Sequence, residues 1–287
     1  MKIAVYAIAK NEEQYIERWA SSCEDADFRF ILDTGSTDKT IEIATGLGVS
    51  VVSAHIEPWR FDDARNTCLA LLPKDIDICI ALDIDEVLTT GWRKELEKIN
   101  KNTTRPLHVS SWLTESNEVV IAPSSGKIHR RYGYRWKGPI YETLVTNQSE
   151  EIQEIVDLEI RRFPRPSKNL EQNIDLLKLS LIEDPMNSKN TYYLAKEYFS
   201  RNKLQEAAEI FKSYLKLPGS ILSAEKSIVL RYLAKCEPEN AETYLNEAIE
   251  AASDRREALV DLALYFYEQK RWGPCFFRIK QALRIKN

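Results

Sequence analysis

The sequence has little that would place it in a membrane, around a structural metal or on a dinucleotide. No apolar run in its 287 residues approaches the ~18 needed to span a bilayer, and the N-terminal "MKIAVYAIAKNEE" turns acidic after a short apolar stretch. A soluble cytoplasmic protein is the expectation. The five cysteines, Cys23, Cys68, Cys79, Cys236 and Cys275, are odd in number and scattered, which suits small buried side chains in a reducing compartment. The lack of any Cys-X-X-Cys pair removes a common zinc or redox motif. No Gly-X-Gly-X-X-Gly follows an apolar strand, which excludes a dinucleotide oxidoreductase. "YAIAKNEE" has no glycine with which to wrap a triphosphate, as a sugar-phosphate nucleotidyltransferase would. A positive field is missing too: with a formal net charge of −4 and a pI near 5.7, nonspecific nucleic-acid binding is not expected.

What is present falls into two rhythms, and 44% hydrophobic content is enough for two cores. Up to about residue 165, β-rich runs at 2–9, 28–33, 49–54 and 76–83 alternate with helical spacing at 12–23, 37–46 and 62–72. That alternation predicts a parallel sheet with helices on its faces, whose ligands bind beyond the carboxyl ends of the strands. Each of the four strands is followed by polar residues: "KNEE", "DTGSTD", "IEPWRFDDARN" and "DIDE". Beyond Thr104, "LHVSSWLTE", "EVVIA" and "KIHRRY" are antiparallel in flavour, so a mixed sheet is expected. "RRFPRPSKN" at 161–169, with two prolines and several charges, marks a boundary between domains 1–165 and 166–287.

The second domain is helical and repeats every 34 residues. Leu194, Ala195, Tyr198, Ala207, Phe211 and Tyr214 follow the tetratricopeptide pattern. One period on stand Ile228, Val229, Tyr232, Ala241, Leu245 and Ala248, and a further period on Leu262, Ala263, Phe266, Cys275, Ile279 and Ala282. Such a stack either buries its own small residues and supports the first domain, or offers a concave groove to a peptide or protein partner.

Three acids, Asp83, Asp85 and Glu86, crowd behind the apolar "ICIAL". In an extended segment Asp83 and Asp85 would face the same way with Ile84 turned into the core, making a hard-oxygen pair suited to Mg²⁺ or Mn²⁺. A helix cap is the plainer reading of Asp85 or Glu86. Capping also accounts for Ser36, Thr37 and Asp38 but leaves Asp33 and Thr34 unexplained, and an acceptor there suits a uracil imide or a ribose hydroxyl. Arg65, in the first turn of a helix, opposes the helix dipole. An anionic ligand, Asp62 or Asp33 would account for it.

"AIAKNEEQYIERW", "ILDTGSTDKTIEIA", "FDDARNTCLA" and "ALDIDEVL", in that order and spacing and followed by the 34-residue repeat, resemble the family-2 glycosyltransferases that carry a fused tetratricopeptide domain. The resemblance implies an α/β GT-A fold, a nucleotide-diphospho-sugar transferase-like mixed-sheet domain, followed by an all-α helical-repeat domain. It implies an inverting, metal-dependent transfer from a nucleotide-sugar donor, a UDP-sugar, to a saccharide, a protein or peptide side chain, or a modified base. Ala7, Lys10, Asn11, Glu12, Asp33, Arg65 and Asp83 would then contact the donor, and Asp85 with Asp83 would hold Mn²⁺ or Mg²⁺. In "YRWKGPIYETL", Glu142 matches the family's Glu and is the candidate base, with Glu115 the second candidate. Tyr141 stands where that family has His, and His129 is a substitute metal ligand in its place. The same departure is what a catalytically inactive sugar-nucleotide domain in a partner-binding protein would show.

Overall fold

The computed structural model describes residues 1–287 except 115, 117, 123–125, 166–169, 219–221 and 286–287. Its first strand, β1 (Ile3–Ala9), is buried on both faces because every side of its alternation is apolar. Ile3, Val5, Ala7 and Ala9 pack with Ile16 and Trp19, while Ala4 and Tyr6 pack on the other face with Phe30, Leu32, Ala64 and Cys68. Parallel pairing joins β1 to β2 (Phe28–Asp33) and β4 (Ile78–Ala81), and β2 to β3 (Ser50–Ser53). The sheet runs β3-β2-β1-β4-β8, with β8 (Ile128–Arg130) antiparallel at the far edge. The helices α1 (Ile16–Ser22), α2 (Thr40–Gly46) and α3 (Phe61–Leu71) occupy the three intervals between the parallel strands.

A second sheet has the order β5-β11-β6-β7, formed by β5 (Glu86–Leu88), β6 (Arg105–Leu113), β7 (Val119–Ala122) and β11 (Gln153–Arg162). The antiparallel expectation holds for β6 with β7 and for β8, which pairs with β4; β5 and β11 also pair antiparallel, whereas β6 and β11 pair parallel. The short α4 (Trp92–Leu96) follows β5, and β9 (Tyr134–Lys137) pairs with β10 (Thr143–Thr146) as a hairpin.

The chain divides into two compact units, Met1–Lys168 and Asn169–Asn287. In the second, α5 (Leu170–Glu183) precedes three helix pairs: α6 (Ser188–Ser200) with α7 (Leu204–Leu215), α8 (Ser223–Cys236) with α9 (Ala241–Ala251), and α10 (Glu257–Glu268) with α11 (Trp272–Arg284). Each pair carries one 34-residue period. Ala195, Ala207 and Phe211 are buried, as are Val229, Leu245 and Ala248 one period on, and Leu262, Ala263 and Phe266 after them. Phe211 also stacks on Tyr232, ring centroids 5.1 Å apart. The register loosens in the last pair: Ile279, equivalent to the buried Phe211 and Leu245, is 38% exposed, along with Trp272, Phe276 and Leu283 at helical spacing on the same helix.

Candidate active site

Strands β2, β1 and β4 end side by side, and the loops beyond β1 and β2 are tied together by backbone groups. Thr34 N donates to Ala9 O at 2.8 Å, Asn11 N to Ser36 Oγ at 2.9 Å, Thr37 N to Asn11 Oδ1 at 2.7 Å and Glu12 N to Thr40 Oγ1 at 2.7 Å. Asn11 holds φ at +55°, a left-handed conformation that asparagine tolerates better than most residues. Lys10 is exposed on this loop. Ala7 lies below it, fully buried in β1. Asp33 is only 1% exposed and accepts from Gly35 N and Ser36 N, both at 3.1 Å. It therefore builds its own loop and is not the open acceptor that the sequence suggests. Asp38, just before the N-cap Lys39, accepts from Thr40 N at 2.9 Å in the first turn of α2.

The centre of the site is Arg65, 5% exposed in α3. Its Nη2 donates to Asp83 Oδ1 at 2.6 Å, its Nε to Glu142 Oε1, and its guanidinium lies 4.9 Å over the Trp136 ring. Burial opposes its charge, but Asp83 and Glu142 more than compensate and push its pKa well up. This corrects the expected partners: Asp62 pairs instead with Arg60 at 3.0 Å and accepts from Gly138 N at 2.9 Å. Glu142 follows Tyr141, whose φ of +51° is rare for a bulky residue.

Residues 83–86 form a turn rather than an extended run, Glu86 N donating to Asp83 O at 2.8 Å. Ile84 is buried as expected, and Trp19 Nε1 fixes the segment by donating to Leu82 O at 3.0 Å. Asp83 Oδ2 accepts from Lys127 Nζ at 2.7 Å, and the same amine reaches Glu86 Oε1 at 2.7 Å. Burial resists ionisation of Asp83, yet Lys127, Arg65 and Arg162 hold it well below the usual carboxylate range. Burial pushes Glu86 the other way, above that range, in spite of Lys127 and with Asp83 adding to the push. Glu86 opens β5, so it caps no helix.

Asp85, 2% exposed, has its Oδ2 bound by two arginines, Arg162 Nε at 3.0 Å and Arg165 Nε at 3.1 Å. Arg165 Nη1 also donates to Glu12 Oε1 at 3.0 Å. Asp85 Oδ1 is buried and lacks a hydrogen-bond partner among the described residues. Arg18 lies against the same segment, its guanidinium 3.8 Å from the centre of the Phe163 ring.

The structure thus brings Arg65, Asp83 and Glu142 into direct contact, and links Asp85 and Glu12 through Arg165. His129 takes no part. It is fully buried in β8, its Nδ1 donates to Arg130 O at 2.7 Å, and its Nε2 accepts from Tyr6 Oη at 3.2 Å. Burial lowers its pKa to about 4. Glu115 lies outside the described residues.

Mn²⁺ or Mg²⁺ on Asp83 and Asp85 does not fit these residues as they stand. Both Asp83 oxygens and one Asp85 oxygen are already bound by basic side chains, and no group of three His, Cys, Asp or Glu suited to a metal occurs among the described residues. Lys127 opens a basic cluster, "KIHRRYGYRWK", that the sequence offers to the donor's diphosphate, to an anionic acceptor or to neighbouring acids, and in the structure it pairs with the acids Asp83 and Glu86. Sequence reasoning missed Arg162 and Arg165 as site residues, because they fall in a segment that looks like a linker. The signal for them was the surplus of acids at the strand ends, which buried acids cannot sustain without cations.

No family model matches the chain. Over 99 residues it is 35% identical to an uncharacterized glycosyltransferase of Rickettsia bellii, a match covering 34% of this chain and 32% of that protein. The chain therefore spans about a third of that relative's length. A TPR repeat-containing protein of Synechococcus elongatus is 24% identical over 168 residues, 58% of this chain and 41% of the other. The crystal structure of S. aureus TarS has a TM-score of 0.50 at 13% identity, covering 85% of this chain and 55% of that one. The architecture is a mixed-sheet domain like that of a glycosyltransferase, joined to a tetratricopeptide-like helical region.

Proposed function

We propose that the first unit transfers a sugar from a nucleotide-diphosphate donor, a UDP-sugar being the one the resemblance implies, to an acceptor hydroxyl or other nucleophile with inversion at the anomeric carbon. The observation that carries this reading is Arg65 held between Asp83 and Glu142 at the carboxyl edge of the parallel sheet, where α/β sheets bind their ligands. The likeness to the Rickettsia glycosyltransferase supports it.

In the proposed reaction the acceptor oxygen bonds to the anomeric carbon as the bond from that carbon to the diphosphate oxygen breaks. The electron pair leaves with the diphosphate, and the acceptor proton goes to a carboxylate. Glu142 is the proposed base, oriented by Arg65 and aligned by the Tyr141 turn. Inversion follows from a single displacement. The acceptor, whether saccharide, protein side chain or modified base, binds from the open side of the loops.

A second reading, a domain that binds sugar nucleotides without turning them over, is favoured by the basic side chains bound to Asp83 and Asp85. Incubating the whole chain with a panel of nucleotide-sugars and following nucleoside diphosphate release separates the two. One donor slowly hydrolysed, and lost in Glu142→Gln, supports the transferase. A donor that binds but is never cleaved supports the second reading, and no binding by any donor refutes both.

A further inference from the structure

The acids at the sheet edge lie beneath a layer of arginines. Asp85 has a side chain 3% exposed, whereas Arg162 and Arg165, both bound to its Oδ2, are 37% and 30% exposed. An anion arriving from solvent meets guanidinium groups before it meets carboxylates. Asp83 is occupied on both oxygens by Arg65 and Lys127, and Arg162 Nη2 stands 3.8 Å from its Oδ2. A dication seated here would share two carboxylates with four cationic side chains. Arg18 adds a further positive charge beside Asp85, and its Nε and Nη2 are buried without hydrogen-bond partners among the described residues. Buried donors of this kind are costly unless an acceptor reaches them. Tyr141 removes a further ligand type, since it stands where the resembled family has His.

We propose that Arg162 and Arg165 are the resident counter-charge for the donor's diphosphate, so that the site binds a nucleoside diphosphate without a divalent cation. The inference rests on the nucleotide-sugar reading. Arginine is well suited to that role, because its planar fork matches phosphate oxygens in pairs and it carries its charge at any physiological pH. Asp85 and Glu12 then hold the two guanidinium groups in place, the reverse of holding a metal. As the bond between sugar and diphosphate breaks, the electron pair moves onto an oxygen facing these arginines.

The test is calorimetric titration of the intact chain with UDP, GDP and dTDP, in excess EDTA and again in Mn²⁺. The expected result is one nucleotide bound with affinities that agree within about threefold in the two buffers. Arg165→Ala and Arg162→Ala should each weaken binding in EDTA about tenfold or more, as the loss of a charge-assisted phosphate contact does. Arg165→Lys should recover part of that loss. Circular dichroism checks that each variant folds, and if an alanine variant does not, the wild-type comparison alone decides. Binding seen only with Mn²⁺ overturns the proposal, as does unchanged affinity in folded arginine variants. If none of the three nucleotides binds in either buffer, the nucleotide-sugar reading itself falls, and this inference with it.

Discussion

Arg162 Nε donates to Asp85 Oδ2 at 3.0 Å, joining the last strand of the first unit to the turn after β4 across 77 residues of chain. The contact is one of a set. Phe163 N donates to Asp85 O at 2.8 Å, and the Phe163 ring covers Arg18. The segment after β11 is therefore a strap fastened over the acids, which gives residues 162–165 a place in the site rather than in a linker.

Arg65 is the least replaceable side chain of the site. Arg65→Ala would leave Glu142 without the guanidinium it pairs with, and Asp83 with Lys127 and Arg162 alone, in a buried setting. Breaking a buried ion pair by removing one partner costs about 3–5 kcal/mol, and a urea denaturation curve on the variant should show a loss of that size. A variant as stable as the wild type would mean that the three groups are not coupled.

Glu142→Gln keeps the shape of the side chain and an oxygen that can accept from Arg65 Nε. Nucleotide affinity should stay within about threefold while sugar transfer drops by about 10² or more, the usual contribution of a general base. Transfer at the normal rate would remove Glu142 as the base.

Stability should fall on mild acidification. Burial lowers His129 to about 4 and, together with the charge of Lys127, His108 to about 4, against 6.5 for the free side chain. Between pH 6.5 and 4 the unfolded chain binds protons that the folded chain refuses. Unfolding free energy therefore drops with pH by up to about 1.4 kcal/mol per unit for each histidine. Asp83, held down by its basic neighbours, loses its contribution only at lower pH, and Glu86, pushed up by burial, works in the opposite sense. The histidine share is accordingly read from a difference: the slope for His129→Gln should be shallower than that of the wild type.

In the helical unit, Phe211→Ala should cost about 3–5 kcal/mol, since it removes a fully buried ring stacked on Tyr232. A denaturation curve followed by far-UV circular dichroism, dominated by helix, checks it. Ile279→Ala, at the equivalent but exposed position, should move the curve far less.

The parallel strands and the 34-residue helix pairs were legible because both depend on local periodicity, two for strands and 3.6 for helices. Phe28–Asp33 and Phe61–Leu71 fall where apolar spacing and the acidic first turn place them. The link between Arg65 and Glu142 was not legible from spacing, because 77 residues and a different sheet separate them. Both residues nevertheless stand out in the sequence, one for opposing a helix dipole and the other by family resemblance. Asp83 and Asp85 are recognisable as a pair but with the wrong companion, since nothing local announces that Lys127, just before β8, Arg162, at the end of β11, and Arg165, just after it, arrive from later in the chain. His129, offered by the sequence as a substitute metal ligand, is instead turned inward by β8 against Cys79 and Tyr6.

The site draws on Glu12, Arg65, Asp83, Lys127, Glu142 and Arg165, so its contacts are almost all distant along the chain. Contacts of this kind form late, because each must first close a long loop. In chain order the parallel strands are complete by Ala81, whereas the arginines that cover Asp85 arrive only at 162 and 165, so a chain ending before Arg162 lacks that cover. The arginine cover proposed to receive the diphosphate is therefore completed only by the last few residues of the unit.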